Sequence, residues 1–396
     1  MTRDDGAPLK WKSIRLVPVL HNRLEFAWAV RRAFGAFKPE HVAVEYPPTL
    51  KDRIIQGIKR LPLLSVVHYE EDDGTFRYLL LEPTDGQVEA IRLALSHGIP
   101  VHFIDRDTRH YTLDHVPLPD PYALTRIGHT AYCRAYMKAR REETGSREDV
   151  LREKTMAYHL NQLAGTGERV LFVGGLFHTA RLLNLLNEPQ APVIGRQKRE
   201  RVGLAHLHRD SSRELLAEMP YLTAQYERYR NHEVDFPDRL QCQAALIDLA
   251  RESHRHKTRE DLSHSELRVL NTFARNYAFL TGNLVPGFYQ LIVAARGAVD
   301  DDFAYEVWDK GSDYPWQTDS PGLPVLRLRG EDLFLDQETD PISSPAQDHA
   351  EAPGSRTRQK EATGAIPPES GGRPSGGMPS APIRPKTWWW RDTASI

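Results

Sequence analysis

Residues 14–21, IRLVPVLH, and residues 170–178, VLFVGGLFH, each carry a short valine- and leucine-rich run directly into a histidine. Apolar residues then recur at helical spacing, in LEFAWAVRRAFGAF after the first run and in TARLLNLLN after the second. Lys38-Pro39 is where the first of these helices is expected to stop. A buried-type strand that passes into an amphipathic helix is the repeating unit of an α/β sheet.

The unit recurs in between. HVAVEY (41–46) reads as a buried strand ended by Pro47-Pro48, and TLKDRIIQGIKRL as a helix with Thr49 as its N-cap. A helix from Asp85 to His97, a stop at Gly98 and the strand IPVHFID (99–105) form a third unit. That unit carries a hairpin-like insertion, VVHYEEDDGTFRYLLLEP, with Asp73-Gly74 as its turn. Two long amphipathic stretches, 125–142 and 146–164, precede the second histidine strand. The alternation predicts an α/β fold with a mostly parallel sheet flanked by helices.

After about Arg196 the pattern loosens. VGLAHLHRDS reads as one more strand with His206 and His208 on one face, and helical stretches follow to about Leu335. Asp300, Asp301 and Asp302 suit the acidic first turn of a helix. His254, His256 and His264 lie in a Lys/Arg/Glu-rich hinge, without the spacing of a metal site. Beyond Asp336 the chain turns to Pro, Gly, Ser, Arg and Glu, which predicts disorder because so little apolar surface offsets the entropy of ordering. The expected organisation is an α/β domain at 1–205, a helix-rich extension at 206–335 that packs on or completes it, and a disordered tail at 336–396. Trp388, Trp389 and Trp390 within that tail are either a docking motif for a protein partner or a fortuitous aromatic run.

The chain has 396 residues and a net charge of -2, so charge gives no overall reason to bind nucleic acid. The basic runs RQKRERV and RESHRHKTR lie beside acidic segments and read as solvated surface. Two cysteines without CxxC spacing point to a reducing compartment. No stretch looks like a signal peptide or approaches the ~20 apolar residues that span a bilayer. The expected location is cytoplasmic.

In open α/β sheets reactive groups gather where strands end. Four strand ends offer candidates: His21, Glu45, the Asp105-Arg106 pair, and His178. Each has a structural alternative. His21 could cap a helix, Glu45 could be a cap or an ion-pair partner, and the glycines before His178 could only turn strand into helix. Arg106 between Asp105 and Asp107, and Arg152 on its helix, suit ion pairs that fix a loop, or an arginine fork that grips an anionic substrate group.

VPVLHN, a helix and KPEHVAVEYPP together resemble the opening of TraB/TIKI superfamily domains. IPVHFIDRDTRHYTL, REDVLREKTMAYHLNQL and VLFVGGLFHTARL are similar to the family's later motifs, in its order, over somewhat under half the chain. The resemblance implies two related βα halves, a site between the two histidine loops, and in several members hydrolysis of a peptide or ester. His21, Glu45 and His178 are then the catalytic centre, and Asp105, Arg106 and Arg152 substrate-binding neighbours. The first motif of the family reads Gly-x-x-His, and here Pro18 stands in place of the glycine.

Two histidines and a glutamate admit two mechanisms. As ligands His21, Glu45 and His178 could hold a divalent metal ion with an open position for an acidified water. Alternatively His21 is a general base oriented by Glu45, with no metal. The expected function is hydrolysis of an ester or amide bond. The alternative is a non-catalytic scaffold or ligand sensor that docks partners through its tail.

Overall fold

The chain opens with the two-residue β1 (Lys10–Trp11), β2 (Ile14–Val19), α1 (Leu24–Phe37) and β3 (His41–Val44). A single 3-10 turn, Pro48–Leu50, leads into α2 (Lys51–Ile58), followed by β4 (Ser65–Glu70), β5 (Phe76–Leu80), α3 (Gly86–Ser96) and β6 (Val101–Phe103). Next come α4 (Ala123–Ile127), α5 (His129–Ala139), α6 (Arg147–Ala164), β7 (Val170–Gly175), α7 (Leu176–Leu185) and β8 (Glu200–Leu207). The remainder comprises α8 (Arg209–Leu215), α9 (Pro220–Arg230), α10 (Arg239–Thr258), α11 (His264–Leu280), α12 (Phe288–Ala298), α13 (Asp301–Gly311), β9 (Val325–Arg329), β10 (Asp332–Leu335) and β11 (Pro341–Ile342). This computed structural model describes residues 7–71, 76–108, 119–140, 145–189, 191–195, 199–318, 322–329, 332–335 and 341–342. The Asp73-Gly74 turn, Trp388, Trp389, Trp390 and all of the expected tail after Ile342 lie outside the described residues.

The strands form two sheets rather than one. The first has the order β1-β2-β7-β3-β6, parallel throughout except for the short β1. Alternation along its strands sorts the two faces. Val17, Val19, Val42, Val44, Leu171 and Val173 enter the core cluster shared with α1 and α3. Ile14, Leu16, Ala43, Val170 and Phe172 enter a second cluster with Met156 and Leu160 of α6 and Leu182 of α7. Helices thus cover both faces, and strands buried on both sides need the near-continuous apolar runs by which they were recognised.

The second sheet, β11-β10-β9-β8-β4-β5, corrects the expectation of a mostly parallel architecture. Its pairs are antiparallel apart from β8 with β9. The presumed insertion β4 and β5 is the start of this sheet. Val67, Tyr69, Leu79 and Leu204 on one side of it join the core of the first sheet. Val66, Leu80, Ala205, Leu207 and Leu326 pack on the other side against Leu216, Ala224 and Tyr314. Because β8 bonds to β4 upstream and to β9 downstream, the segment after residue 205 completes a sheet begun before it.

Local details also differ from expectation. Thr49 lies inside the 3-10 turn and donates to Asp107 Oδ1 at 2.6 Å, and α2 begins from Leu50 without a side-chain cap. The stretch 125–142 is broken at Gly128, whose φ of +86° separates α4 from α5. His254 and His256 sit in the last turns of α10 rather than in a hinge. Asp300 caps α13 by accepting from Phe303 N at 2.7 Å. His206 is buried beside Gln317 and Arg60, while His208 caps α8, accepting from Asp210 N at 3.2 Å.

Candidate active site at the carboxyl edge of the first sheet

Parallel pairing in register brings the four anticipated strand ends to one edge. Val19 is opposite Gly175, Val44 is opposite Val173, and the backbone continues that alignment with Asp105 N donating to Tyr46 O at 3.2 Å. His21, Glu45, Asp105 and His178 therefore share the edge where α/β sheets hold their ligands.

Glu45, Asp105, Arg152 and His178 form one buried network, each less than 8% exposed. The guanidinium of Arg152, on α6, donates to Asp105 from Nε (3.0 Å) and Nη2 (2.7 Å), and from Nη2 to Glu45 Oε1 (2.7 Å). Its Nη1 is 3.3 Å from His178 Nε2. An arginine only donates, so Nε2 accepts and the ring proton sits on Nδ1, which is 2.7 Å from Glu153 Oε1. Glu153 is gripped in turn by Arg181 through Nε (2.9 Å) and Nη2 (2.6 Å). The second oxygen of Glu45 accepts from Gly175 N at 2.6 Å, placing a carboxylate at the N-terminus of α7, where the helix dipole favours it.

That closeness explains the paired glycines before His178. A Cβ on Gly174 would stand 2.5 Å from Phe172 Cζ and 2.9 Å from Glu45 Oε2, whereas on Gly175 the nearest atom is Glu45 Oε2 at 3.4 Å. Gly175 has φ of -59°, so no left-handed geometry is demanded of it. Pro18, its counterpart in the first motif, is likewise harmless. It lies within β2, and its carbonyl accepts from His129 Nε2 at 2.7 Å, on the side away from β7. Leu16, of the same parity, also bonds outward, to Leu9 O. The missing N–H of Pro18 thus removes no ladder bond to β7, the condition under which proline is tolerated in a sheet. The left-handed turn after this strand falls on Asn22, with φ of 53°.

His21 stands apart from the network. Its Nδ1 donates to Asp85 Oδ2 at 3.1 Å, and among the described residues no hydrogen bond or ion pair joins it to Glu45 or His178. Asp85 was legible only as a helix start, and it does cap α3, with Oδ1 accepting from Gln87 N (2.8 Å) and Val88 N (3.1 Å). Its Oδ2 also accepts from Asn22 N at 3.1 Å. Burial by itself lowers the pKa of His21, but the hydrogen bond and charge of Asp85, with the charge of Glu45, outweigh it and hold the imidazole above its usual value; Arg152 works against them. Burial pushes Asp85 up, and the bond and charge of His21 together with the bonds from Val88 N and Asn22 N outweigh it and keep Asp85 below the usual carboxylate value. Glu82 is the contrasting acid: burial, then the charges of Asp85 and Glu218, drive its pKa well upward despite a bond from Ala217 N. The hydroxyl of Tyr46 is raised by burial and by Asp85, Glu45 and Glu82.

The side chain of His21 is 20% exposed and its Nε2 faces no partner among the described residues. Asn22 Nδ2, next to His21 in the chain, and Thr84 Oγ1 and both amide atoms of Gln87, on either side of Asp85, are buried without a hydrogen-bond partner among the described residues. Asp85, Glu153, Glu82 and Tyr46 were not singled out from the sequence. Glu153 lies next to Arg152 on α6 and reaches His178 and Arg181, a convergence that helix spacing does not announce, since adjacent helix residues point about 100° apart.

Arg106 departs from expectation. Asp105 is taken by Arg152, and Asp107 by Arg199 at 2.5 Å and by Thr49, so the loop is fixed by arginines from elsewhere. A divalent cation also finds its place filled. The Arg152 guanidinium bonds both Glu45 and His178, whose Nε2 lies 3.4 Å from Glu45 Oε1, Gly175 N and Glu153 engage Glu45 Oε2 and His178 Nδ1, and no three His, Cys, Asp or Glu among the described residues are placed to share a metal. As arranged, this donor set does not fit a metal ion.

No helix among the described residues is long and apolar enough to cross a membrane. Comparison of the chain with protein-family models, curated proteins and solved structures finds no match.

Proposed function

We propose that the protein is a TraB/TIKI-like hydrolase of an ester or amide bond in which His21, oriented by Asp85, is the general base. The observation that carries this reading is the unequal treatment of the two histidines: His178 is engaged at both ring nitrogens, whereas among the described residues His21 is held at one and open at the other. A base needs that arrangement, with one nitrogen fixing the ring and tautomer and the other free to take a proton from water. Glu45 and Arg152 set the field at His21 and hold the edge rigid. The route is metal-free because Arg152 provides the positive charge that the metal reading assigned to a cation.

Turnover of a panel of ester and peptide substrates by wild type, H21A and H178A, with metal content measured alongside, tests this. The expected result is a loss of ~10²–10⁴-fold in H21A with the fold retained, a size typical of general-base catalysis. An inert wild type, or an H21A as active as wild type, sinks the proposal. Stoichiometric metal that disappears in H178A restores the metal reading.

One observation favours the scaffold alternative. Val269, Phe273 and Leu280 of α11 lie on one helical face and are 52%, 39% and 83% exposed, a ridge suited to a protein partner. Truncation after Leu335 and a V269E/L280E double substitution, each tested for loss of a co-purifying partner, separate tail docking from ridge docking.

A further inference from the structure

We propose that Arg106 holds an oxyanion, the carboxylate or phosphate group of a ligand, at the carboxyl edge of β6. Both carboxylates beside it in sequence are committed to other arginines, Asp105 to Arg152 and Asp107 to Arg199. Arg106 is half-buried, and its Nε and Nη1 are sealed from solvent with no hydrogen-bond acceptor among the described residues. Among the described residues no ion pair reaches its guanidinium, and on the Nη2 side lies the bare backbone of Gly195, where even a Cβ would be 3.9 Å away. Arginine remains charged at any physiological pH, and a cation taken partly out of water without a partner is unfavourable until an anion completes it. Its planar fork matches the paired oxygens of a carboxylate or phosphate.

The position gives the group a purpose. Arg106 follows directly on Asp105, whose carboxylate belongs to the Arg152 network, so an anion here lies within one small molecule's length of that network. The substrate class that follows is an ester or amide bearing a negative charge. This last step rests on the hydrolase reading; the anion site itself does not.

Thermal denaturation of the full chain, as wild type, R106Q and R106K, is followed while inorganic phosphate or acetate is added at ionic strength held constant with sodium chloride. The expected result is a saturable rise in Tm of wild type with one of the two anions, abolished in R106Q and partly kept in R106K. Which anion acts separates a phosphate from a carboxylate ligand. Without added anion, R106Q is expected to melt no lower than wild type, since it loses no partner within the protein. Equal responses of wild type and R106Q, or none in either, overturn the site. An anion response lost in R106Q from a protein that hydrolyses nothing leaves the site standing and removes only the hydrolase reading; hydrolysis without an anion response does the reverse.

Discussion

Asp85 accepts from His21 Nδ1 at 3.1 Å with one carboxylate oxygen and caps α3 with the other. The orientation of the open histidine is thereby tied to the start of a helix that packs on the first sheet. A residue used twice in this way is hard to replace without changing both ring geometry and helix placement.

His21 titrates above its ordinary value of 6.5, and D85N is expected to bring it down, because the hydrogen bond and the charge that raise it are both weakened. The imidazole proton resonances read this directly. Turnover should rise with pH through the value for His21, and the rising limb should shift to lower pH in D85N. The linkage to stability has a definite sign. A raised histidine contributes fully below 6.5 and loses its contribution as pH climbs through the folded-state value. Asp85, held below 3.8, contributes above that pH and loses its contribution as pH falls through its own folded-state value. The stability lost in D85N should therefore be largest between these limits and shrink on both sides, as urea titrations at several pH values will show.

R152M should cost ~3–5 kcal/mol in urea denaturation at pH 7, because it strands two buried carboxylates. Asp105 and Glu45 are both within 2.7 Å of its Nη2. A loss below ~1 kcal/mol would mean that the network is hydrated and that its carboxylates do not depend on the guanidinium.

G174A and G175A make a matched pair. The Cβ at 174 meets Phe172 and Glu45 at under 3 Å and should cost ~1–3 kcal/mol as overpacking does. At 175 the closest approach is 3.4 Å, and a smaller loss is expected. The reverse order would contradict the placement of Glu45 against this backbone.

P18G restores the glycine of the first motif and should change little in activity. The loss of chain stiffness predicts a stability cost of ~0.4–1 kcal/mol. A gain in turnover would show that Pro18 constrains the first histidine loop, contrary to its place in β2 with a carbonyl bonded to His129.

E82Q keeps an acceptor for Ala217 N while removing a carboxyl that burial drives well above its usual value. Folding of wild type must retain that proton as pH rises, which costs stability progressively above the ordinary carboxylate range. E82Q should therefore be stabilised relative to wild type more at pH 8 than at pH 5, as parallel melting curves will reveal.

Much of the first sheet was legible because its strands are buried on both faces and are bounded by turns punctuated by Pro47, Pro48 and Gly98. The edge carrying His21, Glu45, Asp105 and His178 followed from that reading. The second sheet was not legible, because alternation in β4 and β5 announces their mutual pairing and says nothing of which distant strand covers the outer edge of β4. Partners of charged residues were hidden for the same reason. Arg106 has two acidic neighbours in sequence, yet the ion pairs run to Arg152 and Arg199, which the fold delivers from other elements.

The double allegiance of β8 also orders events in time. Leu207 of β8 pairs with Leu326 of β9, and at a synthesis rate of ~5–20 residues per second several seconds pass between the two leaving the ribosome. The first sheet can close in that interval, while β8 presents one unsatisfied edge to whatever it meets. A nascent chain paused there is the form in which this protein is most exposed to pairing with a stranger, and the one a chaperone would have reason to hold.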